Sequence, residues 1–259
     1  MKVRLWLLSP ALVWLAASAA CESPARRPQW NRGGELDAIR ERLRPAPAGA
    51  RRPGVAAAVL FDTSGSMDDR VRAAGGGLKP KIEIARAAAL HIVERFGDFA
   101  RRHPEQPVLV GVYEFSGRAG RPSCRRVVEL GPPDAAAAVK ALAGLKADGS
   151  TPIGDAMILA KQDLDASGMA RRHILVVSDG ENNRGFTPGD VTRVIGELPE
   201  EERAAVYFVA FDVEAEVFQA VRDAGALVLA ADDEAELRRA LDYILTGRIL
   251  VERSPAGKP

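Results

Sequence analysis

The spacing of apolar and polar residues changes several times along the chain, and these changes mark its predicted elements. Val55–Phe61 is an uninterrupted apolar run, which is typical of a strand covered on both faces of a sheet. Five more short runs predict strands at Val108–Phe115, Arg125–Leu130, His173–Ser178, Ala204–Phe211 and Ala226–Ala230. The first two of these five are close enough in sequence to pair as a hairpin.

Between the strands, apolar residues recur every three to four positions, as they do along one face of a helix. The pattern predicts helices at Lys81–Arg101, Ala135–Leu145, Ile153–Ala166, Pro188–Leu198, Glu214–Ala224 and Asp233–Ile249. Strand and helix patterns therefore alternate without an internal repeat. This alternation predicts a single α/β domain with a doubly wound sheet and helices on both faces.

The first twenty residues have a different pattern. Lys2 and Arg4 precede the apolar stretch Leu5–Ala17, and small residues then lead into Cys21. The apolar stretch is shorter than the roughly 20 residues that a membrane-spanning helix needs. We therefore predict a secretory signal peptide over residues 1–20.

Cys21 follows two alanines and resembles the lipidated cysteine of a bacterial lipobox. By resemblance to Gram-negative lipoproteins, Glu22 favours the outer membrane over the inner one. Cleavage after Ala20 without lipidation stays open, and the protein would then be periplasmic or secreted. Cys124 is the other cysteine of the chain. It is a lone thiol if Cys21 carries lipid, and a Cys21–Cys124 disulfide is the alternative.

Residues 21–53 are rich in Arg, Pro, Gly and Ala, which predicts a tether with one weak helical stretch over Glu35–Arg44. The predicted domain spans residues 54–251, and residues 252–259 form a C-terminal tail. In the 259-residue chain, 47% of residues are apolar and 27% are charged, as in ordinary globular proteins. The net charge of +1 gives no indication of a nucleic acid partner or of broad attraction to a membrane surface.

Oxygen-bearing side chains follow two of the predicted strands and precede a predicted helix. Asp62, Ser64 and Ser66 come after the first strand, Thr151 lies just before the helix, and Asp179 follows a later strand. Ligands of open α/β sheets bind outside the carboxyl ends of the strands. Because hard oxygen ligands suit Mg²⁺, these residues indicate a divalent cation site.

The three segments Asp62-Thr63-Ser64-Gly65-Ser66-Met67, Asp148 to Asp155 and Ile174 to Asn183 together resemble the metal-ion-dependent adhesion site of von Willebrand factor type A domains. The Asp-Gly-Glu-Asn-Asn run also resembles that of aerotolerance-type envelope proteins. The resemblance implies a Rossmann-like fold, with a mostly parallel sheet and one short antiparallel edge strand, which Arg125–Leu130 fits.

The resemblance also implies a role for each site residue. Ser64 and Ser66 would bind the ion through their hydroxyls, Asp62 and Asp179 would act mostly through water, and Thr151 would bind directly when a ligand is present. The ion would be Mg²⁺, with Mn²⁺ or Ca²⁺ as alternatives. An Asp or Glu carboxylate of a protein partner would then complete the metal shell.

Four neighbouring residues are expected to support this site without binding the ion. Asp155 is expected to interact with the start of its helix or to stand behind the ligands. Glu181 is expected on the rim, and Gly65 and Gly180 are expected to allow backbone bends.

The chain lacks the sequence motifs of several enzyme classes. It contains no Gly-x-Ser-x-Gly run, no Gly-x-x-x-x-Gly-Lys-Ser/Thr run and no Gly-x-Gly-x-x-Gly run after a strand. We therefore expect a non-catalytic, cation-dependent protein-binding module of the bacterial envelope. One alternative is a metal-dependent hydrolase or phosphatase, with Asp155 or Glu181 as its base. Another is a structural envelope protein whose metal site only stabilises the fold.

Overall fold

The computed structural model describes residues 32–44, 51–117 and 122–250. The strands in this part of the chain are β1 (Arg52–Asp62), β2 (Arg70–Arg72), β3 (Leu78–Pro80), β4 (Val108–Phe115), β5 (Cys124–Gly131), β6 (Met169–Ser178), β7 (Ala205–Phe211) and β8 (Leu227–Ala231). The α-helices are α1 (Arg32–Arg42), α2 (Lys81–Arg102), α3 (Ala135–Leu142), α4 (Ile153–Ala166), α5 (Pro188–Glu197), α6 (Gln219–Asp223) and α7 (Glu234–Ile244).

Six strands form the central sheet, in the order β5-β4-β1-β6-β7-β8. Strands β4, β1, β6, β7 and β8 run parallel, and β5 pairs antiparallel with β4 at the edge. This arrangement confirms the predicted doubly wound α/β fold and its antiparallel edge strand. Because β1, β6 and β7 are neighbours, their carboxyl ends meet at one edge of the sheet.

Two apolar cores cover the two faces of the sheet, as the uninterrupted apolar run of β1 predicted. Alternate β1 residues face opposite sides, so that Val59 lies in one core and Leu60 in the other. Helices α2, α3 and α7 cover the Val59 side. Helices α1, α4, α5 and α6 cover the Leu60 side.

Helix α1 packs against the domain, although its sequence lies within the predicted tether. Its Ile39 and the following Leu43 are fully buried in the core on the α4 and α5 side. The guanidinium of Arg42 lies 5.0 Å from the centroid of the Phe186 ring. The weak helical stretch that the sequence indicated at Glu35–Arg44 is therefore a docked helix rather than part of a solvated linker.

Several element boundaries differ from the sequence prediction. The predicted helix Glu214–Ala224 is a 3₁₀ turn, Ala215–Phe218, followed by the short α6. Helix α3 ends at Leu142, shortly before Gly144, which is a poor helix residue. The helix predicted to reach Ile249 ends as an α-helix at Ile244 and continues as a π-helical segment, Leu245–Ile249. The β2–β3 hairpin was not predicted, because three-residue strands carry too short a pattern.

The predicted signal peptide, Cys21 and the C-terminal tail lie outside the described residues. Cys124, which is described, is a free and partly buried thiol. Burial raises its pKa to about 12. Among the described residues, no helix has both the length and the apolar character that crossing a bilayer requires.

Candidate metal centre

The predicted site residues lie where the neighbouring strands β1 and β6 end. Asp62 is the last residue of β1, and a 3₁₀ turn over Gly65–Asp68 follows it. Asp179 comes directly after β6. Thr151 lies two residues before α4 begins and is 4% exposed. Oxygen-bearing side chains are thus placed at the carboxyl edge of the sheet.

Asp62 is completely buried and is held by neutral donors. The backbone N–H of Ser64 donates to its Oδ1 at 2.7 Å, and the hydroxyl of Ser178 donates to its Oδ2 at 2.5 Å. Burial raises the pKa of Asp62 to about 6, although the hydrogen bonds from Ser178 and Ser64 oppose the shift. A cation close to this carboxylate would favour its charged form.

Three further oxygen atoms form a chain beside Asp62. The hydroxyl oxygens of Ser64 and Ser66 are 3.2 Å apart, and Ser66 Oγ donates to Asp179 Oδ1 at 2.8 Å. Two hydroxyls and a carboxylate within hydrogen-bonding distance of one another form a donor set that suits Mg²⁺. The residues present therefore fit the divalent cation that the sequence motif implies.

The loop that carries Thr151 is tied to both other segments of the site. Gly65 N–H donates to the carbonyl of Gly149 at 3.0 Å, which joins the loop to the first segment. Thr151 N–H donates to Asn183 Oδ1 at 2.8 Å, and Asn183 N–H donates back to the Thr151 carbonyl at 3.2 Å. The backbone of Thr151 is therefore fixed between the β1 and β6 loops.

Asn182 and Asn183 have a structural function that the sequence did not reveal. Asn182 Oδ1 accepts hydrogen bonds from the N–H groups of Ile153 and Gly154, at 2.8 and 3.4 Å. These groups belong to the first turn of α4, whose N–H groups have no partner within the helix. The two asparagines thus brace the loop of Thr151, in addition to lying beside the site.

The carboxylate of Asp155 lies against the loop after Asp179 rather than against the serine hydroxyls. Its Oδ1 accepts from the N–H of Phe186 at 3.3 Å. Gly185, next to it, has φ 70°, and a Cβ there would lie 2.5 Å from Asp155 Oδ2. Glycine is required at this position, because both the backbone angle and the space exclude a side chain.

Gly65 and Gly180 do not show the special backbone angles that the sequence analysis expected. Neither has a positive φ, and a Cβ at Gly65 would meet nothing closer than 3.8 Å. A Cβ at Gly180 would have no neighbour within 4 Å. Glycine is needed instead at Gly185 and at Gly154. At Gly154, a Cβ would collide with the carbonyl of Phe186. Glu181 is exposed at this side of the site.

Lys81 and Asp212 belong to the site, and the sequence analysis did not include them. Lys81 begins α2 and is 4% exposed. Its Nζ lies 3.0 Å from Asp179 Oδ2 and 2.8 Å from Asp212 Oδ2. Burial opposes the charge of Lys81, but its hydrogen bonds to Asp212 and Asp179 outweigh burial and raise its pKa.

Asp212 follows β7 directly and has φ 53°, the only positive φ of a non-glycine residue in the described part of the chain. A carboxylate directly after a predicted strand was the signal that could have identified it, as it identified Asp179. Lys81 offered no comparable signal, because it begins an ordinary amphipathic helix.

Among the residues that the structure describes, no group of three or more His, Cys, Asp or Glu side chains is placed to hold a metal ion. The metal hypothesis thus depends on Ser64, Ser66 and Thr151 together with the two carboxylates.

The fold and the site define a doubly wound α/β domain with an oxygen-rich site outside the carboxyl edge of its sheet. Residues 58–181 match the family model of the von Willebrand factor type A domain. This match begins within β1 and ends just beyond Asp179, so it includes all five predicted metal-site residues. Over residues 58–181 the chain therefore matches a von Willebrand factor type A domain, the family that its motifs resemble.

Solved structures of similar fold include several bacterial proteins. The chain is similar to the conserved hypothetical protein BatB from Bacteroides thetaiotaomicron, with TM-score 0.55 and 15% identity, covering 75% of this chain and 98% of BatB. It is similar to an aerotolerance-related membrane protein from Bacteroides fragilis, with TM-score 0.53 and 15% identity, covering 75% of this chain and 100% of that chain.

The chain is also similar to the PilB minor pilin from Streptococcus sanguinis, with TM-score 0.61 and 13% identity, covering 83% of this chain. This match spans 65% of the pilin, which is less than two thirds of its length. At these identities the structural matches establish the fold alone. Comparison with curated protein sequences gives no match.

Proposed function

We propose that this chain is a non-catalytic binding module that holds a protein partner through a divalent cation. The observation that carries the proposal is the row of oxygen atoms from Ser64 Oγ through Ser66 Oγ to Asp179 Oδ1, beside the buried carboxylate of Asp62. Von Willebrand factor type A domains commonly mediate protein interactions, which supports this class of function.

The residues that would hold the cation are Ser64, Ser66 and Thr151, with Asp62 and Asp179 orienting the two serines. When bound, Mg²⁺ would supply an electrophilic centre with open positions for oxygen ligands. Asp62 orients the Ser64 backbone, and Asp179 orients the Ser66 hydroxyl. An Asp or Glu carboxylate from the partner is the ligand that complements such a centre.

The first test is calorimetric titration of Mg²⁺ and of Mn²⁺ into the full chain and its variants. We expect one-to-one binding to the unmodified protein, and no binding after Asp62→Ala or Ser66→Ala. Asp68→Ala is the matched control, because Asp68 is an exposed carboxylate in the same turn. Loss of binding in Asp68→Ala alone, with binding intact in Asp62→Ala, would contradict the assignment of the site.

The second test concerns the partner. Immobilised protein is incubated with envelope extract in Mg²⁺ or in EDTA, and the same is done with Asp62→Ala. We expect a protein that is retained only in Mg²⁺ and only by the unmodified chain. Hydrolysis of a generic phosphate ester that is lost in Asp62→Asn would contradict the non-catalytic proposal and favour the hydrolase alternative.

We further propose that the module is anchored in the bacterial envelope through lipid on Cys21. The sequence of residues 1–21 supports this proposal. In a Gram-negative host, we expect labelled palmitate to be incorporated into the unmodified chain and not into Cys21→Ser. Equal labelling of both would contradict it.

A further inference from the structure

Lys81 connects the candidate metal centre to a carboxylate outside the predicted ligand set. Its ammonium is almost completely buried and lies between Asp179 Oδ2 on one side and Asp212 Oδ2 on the other, at 3.0 and 2.8 Å. The side chain of Asp179 is 0% exposed, whereas that of Asp212 is 40% exposed. The ammonium is therefore held from two strand ends, those of β6 and β7.

Both oxygens of Asp179 consequently have a partner. Oδ1 accepts the hydroxyl proton of Ser66, and Oδ2 accepts from Lys81. The carboxylate can therefore neither rotate freely nor present both oxygens to a cation. This geometry suits a carboxylate that orients a hydroxyl ligand instead of binding a metal ion in bidentate fashion.

The charges around the site are also set by Lys81. Asp62 and Asp179 are buried at the site, and Asp212 lies beyond Lys81. An ammonium 3.0 Å from Asp179 Oδ2 repels a divalent ion that binds beside this carboxylate, because the interaction scales with the product of the charges and buried charges are weakly screened. Removing Lys81 would also free the side chain of Asp179, but ordering one short Asp side chain again costs comparatively little conformational entropy. Repulsion is therefore the larger effect of Lys81 on metal affinity.

We propose that Lys81 is a positioning residue that fixes Asp179 against Ser66 and weakens cation binding, and that Asp212 counteracts it by drawing the ammonium away. This inference rests on the proposed metal-binding function. Its consequence is a centre that is short of anionic ligands, so that a carboxylate from outside the chain contributes a large share of the binding.

The test measures Mg²⁺ affinity by calorimetry and, separately, thermal unfolding in EDTA. We expect Lys81→Met to bind Mg²⁺ about tenfold more tightly and Asp212→Asn to bind it about tenfold more weakly. Lys81→Arg, which keeps the charge, is expected to stay within about threefold of the unmodified chain. Both Lys81→Met and Asp212→Asn should melt at lower temperature in EDTA, because the first breaks the buried pair with Asp179 and the second removes one of the two carboxylates that hold the buried ammonium.

A merely structural role would change Mg²⁺ affinity in the same direction in Lys81→Met and Asp212→Asn, because both lower stability. Opposite changes in affinity therefore indicate an electrostatic effect on the cation. Asn suits the positive φ of Asp212, so Asp212→Asn keeps the test valid if Lys81→Met fails to fold. Lys79→Met is the matched control, because Lys79 is half exposed near the start of the same helix and contacts Glu234 at 3.6 Å. It should change Mg²⁺ affinity by less than about twofold.

Two failures remain distinguishable. If the unmodified chain binds Mg²⁺ and loses it with Asp62→Ala, but Lys81→Met binds equally or more weakly, the inference is overturned and the proposed function stands. Unchanged or tighter binding by Asp212→Asn overturns the role of Asp212 in the same way. If the unmodified chain binds no cation, the proposed function fails and the inference fails with it.

Discussion

Buried charged side chains lie at both ends of the parallel sheet, but the groups that accompany them differ. At the amino end, Arg172 Nη1 lies 2.7 Å from Asp165 Oδ1, and Lys161 Nζ lies 2.5 Å from Asp165 Oδ2. Glu202 in turn contacts Arg172 and Arg51. Each buried charge in this group of side chains, which we call the amino-end network, has an opposite charge beside it.

At the carboxyl end, the most deeply buried carboxylate has no such partner among its hydrogen bonds. Asp62 accepts from neutral groups, among them Ser64 N–H and Ser178 Oγ. Burying a charge without a counter-charge costs folding free energy, and proteins accept this cost mainly at functional sites. The comparison teaches that the amino-end network is complete within the chain, whereas Asp62 at the carboxyl end lacks an opposite charge among its hydrogen-bond partners, as expected if the proposed cation binds there.

The largest effect is expected from breaking the amino-end network. Arg172→Met leaves buried carboxylates short of a partner, so we expect it to lower the free energy of unfolding by about 3–5 kcal/mol. Arg193→Met, which removes a half-exposed arginine next to Asp190, should cost less than about 1 kcal/mol. Denaturant titration measures both. Equal small losses would show that the network contributes little.

The next effect is expected from the cation at the carboxyl end. At a Mg²⁺ concentration of about 100 times Kd, binding should raise the free energy of unfolding by about 2.7 kcal/mol relative to EDTA. Asp62→Ala should abolish this Mg²⁺-dependent increase. Arg172→Met should keep the increase, although this variant is less stable both in Mg²⁺ and in EDTA. A Mg²⁺ increment that vanishes in Arg172→Met would show that the two ends are not independent of each other.

Acidification should act through a histidine in the amino half of β6. Burial, followed by the charge of Arg171, lowers the pKa of His173 to about 3. The unfolded chain takes up a proton below its ordinary pKa of about 6.5 and the folded chain does not, so stability is lost as pH falls.

The loss attributable to His173 should reach about 2 kcal/mol at pH 5 relative to pH 7.5, measured by denaturant titration in EDTA. His173→Gln should flatten this part of the pH dependence. His103→Gln, at a side chain that is 42% exposed, should leave it unchanged. Identical pH profiles for the unmodified chain and His173→Gln would refute the assignment to His173.

The smallest effect is expected at Gly180, beside Asp179. Because its φ is not positive and a Cβ has open space, Gly180→Ala should change the free energy of unfolding by less than about 0.5 kcal/mol. Gly154→Ala should cost more than about 1 kcal/mol, because a Cβ collides with the Phe186 carbonyl. Thermal melting in Mg²⁺ compares them, and a large loss for Gly180→Ala would restore the predicted need for glycine there.

Local periodicity explains why much of the fold could be predicted. The bounds predicted for Val108–Phe115 and Ile153–Ala166 are those of β4 and α4, because each carries a full period of its element within a few residues. Hydroxyls and carboxylates after strand ends indicated the candidate site for the same reason. Helix α1 was missed as a packed element because its sequence is mostly polar and the fully buried apolar residues there are Ile39 and the following Leu43.

The sequence by itself determined the alternation of strands and helices and the oxygen-bearing turns after β1 and β6. Only the tertiary structure decided that Lys81 lies against Asp179, 98 residues away, and that Asp212 shares the same ammonium. Partners so far apart leave no periodic pattern, since they meet only when parallel strands bring their carboxyl ends together. The local sequence pattern therefore indicated which residues could bind a cation, whereas the arrangement of strands in the sheet determines which charged side chains lie near those residues.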